Sequence, residues 1–217
     1  MKGLDFTMTV GDVSFTEVTC RYGRHTAVAA VNLDVAAGEH VALTGANGSG
    51  KTTLLRAALG LHPLAGGTVA VGGAMPRTAG DWTVRRRQVA WVPQRLTPGR
   101  FPLLVDELLD SGGHIDAARD AAGRLGVIGL GSRPLQTLSG GQLQRVFLAR
   151  ALGAVAAGAR ALFADEPTAA LDFDGQDQVA MILAQLPVTV IVVSHDRAMS
   201  RACDRVAEMA AGRLRVI

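Results

Sequence analysis

A glycine-rich stretch at residues 45–53, GANGSGKTT, carries the clearest chemical pattern in the chain, because it fits G-x-x-x-x-G-K-[ST]. Its glycines let backbone N–H groups turn inward around a phosphate, and the start of the following helix adds partial positive charge. Lys51 would reach the β- and γ-phosphate oxygens of a nucleotide, and the Thr52 hydroxyl would coordinate Mg²⁺. A chance glycine turn is a weak alternative, since lysine occurs only at positions 2 and 51. The pattern alone leaves kinases, GTPases and motor ATPases open.

Two adjacent acids, Asp165 and Glu166, close a predicted strand in the segment ALFADEPTAALD. At the carboxyl edge of a parallel sheet, both would face the same crevice as the glycine-rich stretch. Asp165 could hold Mg²⁺ through water, and Glu166 could polarise an attacking water as a general base. Pro167 supports this interpretation because it ends strand pairing where the acids must be exposed. Acids at strand ends are also common as solvated loop residues, so these two decide nothing by themselves.

Three further side chains follow predicted strands. His195 ends the β-branched run VTVIVVS, which should neighbour the strand carrying Asp165, and we expect it to contact a γ-phosphate. Gln94 follows QVAWV, where its amide could reach the metal or the attacking water. Tyr22, the only tyrosine, ends an early strand where its ring could stack on a base. Each of the three could equally be an ordinary structural or loop residue if it stood alone.

A second glycine pair lies in LSGGQLQR, residues 138–145. Ser139 suits a helix N-cap, and Gly140 and Gly141 would open their N–H groups toward an anion. One nucleotide does not need two phosphate loops, so these eight residues alone favour a capped surface helix. The apolar face that would anchor this helix consists of Leu143, Val146, Phe147 and Ala151.

The elements that must position these residues alternate between strand and helix patterns. Alternation of this kind predicts an α/β core, here with an antiparallel β portion at the front and a helical insertion in the middle. Val31, Leu33 and Val35 share one face of a front strand, and VTVIVVS is expected to be buried on both faces of a parallel sheet. The predicted strands are VSFTEV, VNLDV, EHVALTG, GGTVAVGG, QVAWV, ALFAD and VTVIVVS, and the predicted helices cover residues 52–61, about 103–130, from 140 onward, and about 176–185.

Composition excludes several classes of protein. With 217 residues, 48% apolar and 19% charged, the chain is typical of a soluble globular domain. The sequence contains no run of 18 or more uncharged apolar residues, so a membrane span is not predicted. The first ten residues lack the apolar core of a signal peptide, and we therefore expect a cytoplasmic protein. Cys20 and Cys203 match no metal or redox spacing and are expected to be free thiols. The arginine run at residues 85–87 could be a nucleic-acid patch, but a run of three charges is more often a solvated face. Because the net charge of +3 is mild and aromatics make up only 4%, we do not expect nucleic-acid binding.

Together these segments resemble the ATP-binding cassette (ABC) ATPases over nearly the whole chain. The motifs occur in the family's order: RYG, GANGSGKTT, PQ, LSGGQ followed by QR, ADEPTAALD, and SHD. The resemblance implies a P-loop NTPase fold of the ABC-ATPase type, with a mixed or parallel core sheet, an antiparallel β subdomain and a compact helical subdomain. It further implies one domain over residues 1–217, with the helical subdomain at approximately 95–138.

The resemblance also implies a role for each matching residue. Glu166 would be the catalytic base, His195 would touch the γ-phosphate, and Gln94 would link the metal and γ-phosphate to the helical part. Tyr22 would stack on adenine, Asp172 would lie at a dimer seam, and Thr52, Gln94 and Asp165 would hold Mg²⁺. The phosphates would be held by Gly45, Ala46, Asn47, Gly48, Ser49, Gly50, Lys51, Thr52 and Thr53, and the opposite subunit's γ-phosphate by Ser139, Gly140, Gly141 and Gln142.

The function implied by the resemblance is an ATP hydrolase that powers transport through separate membrane permease subunits. The expected partners are a second ABC ATPase subunit, taken as an identical copy, the permease and, for an importer, a substrate-binding protein. The expected location is the inner face of the membrane. The stretch VPQRLTPGRFPLLVDELL is similar to that of zinc or manganese importers. The alternatives are a soluble ABC ATPase acting on nucleic acid or ribosomes, and a non-catalytic nucleotide-binding module.

Overall fold

The computed structural model describes residues 12–94 and 102–216, which form two β-sheets and seven α-helices. The strands are β1 (Val13–Tyr22), β2 (His25–Val35), β3 (His40–Thr44), β4 (Gly66–Val71), β5 (Val89–Val92), β6 (Ala161–Asp165), β7 (Thr189–Val193), β8 (Arg205–Ala210) and β9 (Arg213–Val216). The helices are α1 (Lys51–Ala58), α2 (Ala79–Gln88), α3 (Val105–Asp110), α4 (Ile115–Arg124), α5 (Gly140–Ala156), α6 (Phe173–Ala184) and α7 (Arg197–Arg201).

The central sheet has the strand order β5-β6-β7-β3-β8-β9. All neighbouring pairs are parallel except β8 with β9, so the carboxyl ends of β5, β6, β7 and β3 meet at one edge. Every residue of β6 and β7 is buried, as expected for strands covered on both faces. This sheet confirms the predicted α/β core and the predicted neighbourhood of the strands that precede Glu166 and His195.

The antiparallel portion predicted at the front is a separate three-stranded sheet in the order β2-β1-β4. The alternation in β1 is only partial because the register shifts between Phe15 and Val18, where Glu17 adopts a left-handed backbone with φ of 52°. Phe15 and Val18 therefore both face the core. That core lies between this sheet, α1 and one face of the central sheet, where it meets Phe163 and Ile191.

The opposite face of the central sheet is covered by the helical part of the molecule. Leu162 of β6 and Val190 of β7 belong to this second core, which they share with residues of α3, α4, α5 and α6. Alternate residues of one strand thus enter two different cores. This arrangement explains why neither β6 nor β7 shows polar alternation in the sequence.

Several predicted boundaries were wrong. The first helix ends at Ala58 rather than at residue 61, because Gly60 adopts φ of 69°. The stretch 103–130 is not one helical run: α3 and α4 are separated at Gly112 and Gly113, the latter with φ of 90°. The later helix starts at Phe173 rather than near residue 176. Residues 95–101, the start of the predicted helical subdomain and part of the importer-like stretch, lie outside the described residues.

The sequence patterns also missed α2, α7, β8 and β9. Helix α2 lacks an apolar stripe, and the residue it buries is Arg85. The Arg85 guanidinium donates to the carbonyl oxygens of Ala58, Val69 and Ala74, at 3.2, 3.4 and 2.6 Å. Burial lowers the pKa of Arg85 to about 10, which leaves it charged at neutral pH. The arginine run is therefore a solvated face at Arg86 and Arg87 only.

Cys20 and Cys203 are free thiols, as predicted. Within residues 12–94 and 102–216, no helix is both long and apolar enough to cross a membrane.

Candidate functional site

The glycine-rich loop connects β3 to α1 in a shape that only glycine allows at two of its positions. Gly45 and Gly50 have φ of 126° and 106°, a backbone region that other residues rarely adopt. A Cβ atom on Gly45 would overlap the carbonyl of Met209 in β8, and one on Gly50 would overlap the carbonyl of Ala27 in β2. The loop is therefore held between the two sheets, with its exposed side at residues 46–48 open to a ligand.

Lys51 is the first residue of α1 and is 6% exposed. Its Nζ donates to the carbonyl oxygens of Gly45 and Ala46, at 2.5 and 3.0 Å. Burial lowers the pKa of Lys51, and the nearby charges of Glu166 and Asp165 partly oppose that shift. Among the described residues, no carboxylate lies within ion-pair distance of this ammonium group. It can therefore offer its charge to an anion such as a phosphate.

Asp165, at the end of β6, is completely buried. Neither of its carboxylate oxygens has a hydrogen bond of ordinary geometry within the described part of the chain, although the Thr52 hydroxyl is near enough to favour the charged form. Burial is the main reason that the pKa of Asp165 is raised, and the Glu166 charge acts in the same direction. The Thr52 hydroxyl and the charges of Lys51 and Arg56 oppose the shift. A buried carboxylate without a partner is costly, and a hard cation coordinated by Asp165 and Thr52 would remove that cost.

Glu166 adopts a left-handed backbone conformation with φ of 52°. Such strain costs a non-glycine residue about 1–2 kcal/mol and persists only where the surroundings enforce it. The Glu166 N–H donates to the Val193 carbonyl of β7 at 2.8 Å. Its carboxylate remains partly exposed, and Oε1 lies 3.6 Å from Nε2 of His195. The strained turn thus directs a carboxylate out of the sheet edge, where a general base would be needed.

The parallel sheet brings together the residues that follow β5, β6 and β7. Gln94 follows β5 after one residue, and His195 follows β7 after Ser194. Gln94, Asp165 and Glu166 all line one cavity with the glycine-rich loop. His195 stands beside this group through its contact with Glu166. The expected convergence at one sheet edge is therefore present in the fold.

That cavity has a volume of about 700 Å³. Tyr22 lines it and is half exposed, with its hydroxyl 3.4 Å from Oγ1 of Thr53 and its ring centroid 4.5 Å from that of the tilted His62 ring. A flat, partly exposed ring of this kind can take a nucleobase on its free side. Besides the predicted residues, the lining includes His25, Ala27, Arg56, Leu61, Trp91 and Pro93.

The second glycine pair lies at the start of α5 and does not line this cavity. Ser139 caps the helix as predicted: its Oγ accepts from the Gln142 N–H at 3.2 Å, and the Gln142 side chain accepts from the Ser139 N–H at 3.1 Å. Leu143, Val146 and Ala151 are buried, as expected for the anchoring face, whereas Phe147, predicted for the same face, is only partly buried. Within one chain, the two glycine segments therefore serve two different places.

The start of α5 shares a surface with the loop that follows Glu166. Gly141 packs against Ala170, and the Arg145 guanidinium lies 3.6 Å from the Asp172 carboxylate. Asp172 also caps α6 by accepting from the Gly175 N–H at 3.1 Å. The next residue, Phe173, is 85% exposed, which is unusual for an aromatic side chain. We call the surface formed by Ser139, Gly140, Gly141, Ala170, Asp172 and Phe173 the signature face.

Sequence reasoning missed three residues of this region. His62 supports the Tyr22 ring, and Arg56 borders the cavity from α1. Gln144 is buried in α5 and donates to the Glu166 carbonyl at 3.2 Å. A polar residue between the apolar Leu143 and Val146 was the only signal for Gln144, and helical spacing could not say what it contacts.

Comparisons with known proteins agree on one family. A family model described as ABC transporter matches residues 28–169. The chain is 39% identical to the hemin import ATP-binding protein HmuV of Streptomyces coelicolor, over 85% of this chain and 69% of that protein. It is 36% identical to the zinc import ATP-binding protein ZnuC of Ruegeria pomeroyi (87% and 71%), and 31% identical to the manganese transport system ATP-binding protein MntB of Bacillus subtilis (85% and 77%).

Solved structures show the same architecture. The dimeric post-hydrolysis structure of the ATP-binding cassette MJ0796, bound to ADP and Pi, has a TM-score of 0.85 at 26% identity and covers 94% of this chain and 97% of that one. CbiO1 of Clostridium perfringens, part of the ABC transporter complex cbiONQ, has a TM-score of 0.77 at 25% identity, with coverage of 94% and 86%. The predicted fold class is confirmed.

Replacing Asp165 by asparagine tests the buried charge. A pKa raised in the folded state means that the charged form lowers stability at neutral pH, and that this cost disappears as the pH falls through the folded pKa. We therefore expect Asp165→Asn, without nucleotide or metal, to melt at a higher temperature than wild type at pH 7, with a smaller difference in acid.

Addition of ATP with Mg²⁺ should raise the melting temperature of wild type more than that of Asp165→Asn. Asp177→Asn, an exposed acid on α6, is the matched control and should follow wild type throughout. A variant that is less stable than wild type at pH 7 without ligand would contradict the cost assigned to Asp165.

Proposed function

The chain belongs to the ABC transporter family as an ATP-binding and ATP-hydrolysing subunit, and from that premise we propose how its residues bind the nucleotide, what completes the site and what is transported. The observation that carries the proposal is the meeting of Lys51, Asp165 and Glu166 at one cavity of about 700 Å³. A cation, an unpartnered buried carboxylate and a partly exposed carboxylate are the groups that phosphoryl transfer from ATP requires.

In the proposed complex, adenine stacks on Tyr22 and the phosphates lie along residues 45–53. Lys51 offers an ammonium group that already points into the loop, and the backbone N–H groups of the loop and of the start of α1 bind phosphate oxygens. Thr52, Asp165 and Gln94 would hold Mg²⁺, which supplies positive charge against the phosphate oxygens when bound. The whole set lies within one domain, proposed to span residues 1–217, with the helical subdomain at about 95–138.

Hydrolysis then depends on a water held beside the γ-phosphate. Glu166 accepts a proton of this water as the water attacks the γ-phosphate and ADP leaves, and His195, whose Nε2 lies 3.6 Å from the Glu166 carboxylate, would contact the γ-phosphate. Gln94, at the end of the neighbouring strand, orients the water or the metal. The left-handed turn at Glu166 serves this step because it directs the carboxylate into the cavity rather than along the strand.

A second copy of the chain completes each site. Residues 139–142 do not line the cavity of their own chain. The N–H groups of Ser139 and Gln142 are used in the helix cap, which leaves those of Gly140 and Gly141 at the helix start for an anion on another subunit. The signature face carries those groups together with the exposed Phe173, as a surface that packs on another protein would. We place it against the glycine-rich loop of the second copy, with Asp172 at the seam. The dimeric cassette structures similar to this chain support the arrangement.

A groove beside the nucleotide cavity supports contact with a permease. It has a volume of about 510 Å³ and lies between β5, α2, α5 and the turn after α3. Leu61 and Trp91 line both the groove and the nucleotide cavity, so an occupant of the groove would touch the wall of the ATP site. Its rim carries Arg86, Arg87 and Arg150, which suits an apolar helix with acidic residues from a permease. The subunit would thus sit on the inner face of the membrane.

The cargo proposed for the transporter is a metal ion or a metal complex. Relatives that are 35–39% identical to this chain over the aligned residues include import ATP-binding proteins for hemin, zinc and ferric ions, whereas a probable export ATP-binding/permease protein, MacB, is 36% identical. An importer of this type would also work with a substrate-binding protein. The alternatives, an ABC ATPase acting on nucleic acid or a non-catalytic module, have no comparable support among these relatives.

Replacing Glu166 by glutamine removes the proton acceptor but keeps the side-chain shape. We expect ATP turnover to fall by about 100-fold or more, because general-base catalysis contributes that much. ATP binding should survive, so the variant should accumulate as an ATP-bound dimer in size-exclusion chromatography. Wild-type turnover in Glu166→Gln would contradict the assignment of Glu166 as the base.

Replacing Ser139 by arginine tests whether the signature face acts on the other copy. The bulky side chain would block the contact with the second subunit's ATP, so hydrolysis should be lost. Binding of ATP to the monomer, measured by titration calorimetry, should stay near the wild-type value. Ser132→Arg, at an exposed serine outside the signature face, is the control. Loss of monomer binding in Ser139→Arg would refute the assignment in trans.

Reversing charge at the groove tests the permease contact. The double variant Arg86→Glu with Arg87→Glu should lose co-purification with the permease subunits that bind the wild-type protein, while its own ATP affinity stays unchanged. Arg213→Glu changes an exposed arginine on β9, at the opposite edge of the central sheet, and should bind the permease normally. If wild type, the double variant and Arg213→Glu bound the permease equally well, the groove would be excluded as the permease contact.

A further inference from the structure

Gln144 is a buried polar residue that the proposed reaction does not use. It is 4% exposed and lies on the side of α5 that faces the central sheet, between Leu143 and Val146 in the chain. Its Nε2 donates to the Glu166 carbonyl at 3.2 Å, across 22 positions of sequence. A side-chain amide that is buried without a partner is costly, so this hydrogen bond defines where the amide lies.

The backbone of Glu166 is held at both of its polar groups. Its N–H donates to the Val193 carbonyl of β7 at 2.8 Å, and its carbonyl also accepts from the Ala169 N–H at a longer 3.3 Å. The next residue, Pro167, has no N–H to give. On the C-terminal side of the left-handed Glu166, the backbone can therefore be fixed through the Glu166 carbonyl. Gln144 is the side chain that donates a hydrogen bond to this carbonyl.

We propose that Gln144 is a positioning residue for hydrolysis, which holds the Glu166 carbonyl so that the left-handed turn keeps the carboxylate aimed at the attacking water. Since α5 begins at the signature face, Gln144 also connects the segment that meets the partner's ATP with the base of its own subunit. Gln142, in the helix cap, and Gln144 are two residues apart near the start of the same helix. A shift of the cap would therefore move the amide that holds Glu166. This inference rests on the proposed function.

A purely structural role for Gln144 is the competing explanation. Helix α5 is already anchored to the sheet and to α4 by Val146, Leu148, Ala149 and Ala151, all completely buried. Its docking therefore does not depend on one amide. Gln144→Met keeps the length and the apolar contacts of the side chain and removes its amide group, and with it the donor to the Glu166 carbonyl. A fall in kcat without a matching fall in melting temperature then reports on the hydrogen bond to the Glu166 carbonyl.

The matched control is Gln178→Met. The Gln178 Nε2 donates to the Arg124 carbonyl at 2.7 Å and joins α6 to the end of α4, away from Glu166. We expect Gln144→Met to lower kcat by about 10- to 100-fold, the effect of displacing a catalytic group by a fraction of an ångström to an ångström. Its KM for ATP, its ATP dissociation constant and its melting temperature should match those of Gln178→Met, whose kcat should equal that of wild type.

Gln144→Glu adds a readout that a structural role would not produce. A protonated carboxyl group can donate to the Glu166 carbonyl, whereas an ionised one cannot. The turnover of Gln144→Glu relative to wild type, compared at each pH, should therefore rise as the pH is lowered. For Gln144→Met the same ratio should stay constant.

Three results would overturn the proposal: an unchanged kcat in Gln144→Met, an equal loss in Gln178→Met, or a loss explained by weaker ATP binding. Glu166→Gln is measured in the same series to separate this inference from its premise. If Glu166→Gln turns over ATP normally, the assignment of the base has failed. If it is inactive while Gln144→Met is fully active, only the role of Gln144 has failed.

Discussion

The parallel pairing of β6 with its neighbours β5 and β7 is the constraint on which the rest of the structure depends. Strands buried on both faces can present polar chemistry only where they end, and parallel strands end at the same edge. Asp165 is the last residue of β6 and pairs with Val193, the last residue of β7. Gln94, Glu166 and His195 each lie one or two residues beyond the end of a strand, so all three gather at this edge of the sheet. None of them is close in sequence to the glycine-rich loop.

The cost of this arrangement is concentrated in Lys51 and Asp165. Both are buried, and burial lowers the pKa of Lys51 and raises the pKa of Asp165, so that it favours the neutral form of each group. Neither is paired with the other, because the Lys51 ammonium is held by loop carbonyls instead. A ligand that brings phosphates and a cation would satisfy both groups at once. The site without ligand is thus a poor environment for its own charges and a good one for a metal-bound triphosphate.

The same edge explains why the second glycine pair cannot serve the cavity of its own chain. Helix α5 packs on the opposite face of the central sheet from the antiparallel sheet, among the residues of the helical core. Its start emerges beside the loop that follows β6, next to Ala170 and Asp172. The glycine-rich loop emerges from the other side, between β2 and β8. One sheet thus carries two glycine segments that open to different places on the surface.

The sequence by itself determined the family, the order of the motifs and the type of most elements, because these depend on residues that are close in the chain. Helical and strand spacing, caps such as Ser139 and the glycine loop are all local signals. Only the tertiary structure decided the contacts that cross the fold. The burial of Arg85, the tilted contact of the His62 and Tyr22 rings, the left-handed Glu166 and its hydrogen bond to Gln144 depend on strand order and helix packing. Helix α2 could not be predicted from apolar spacing because the side chain that it buries is a charged arginine. The hydrogen bonds of that arginine to backbone carbonyls leave no periodic pattern in the sequence.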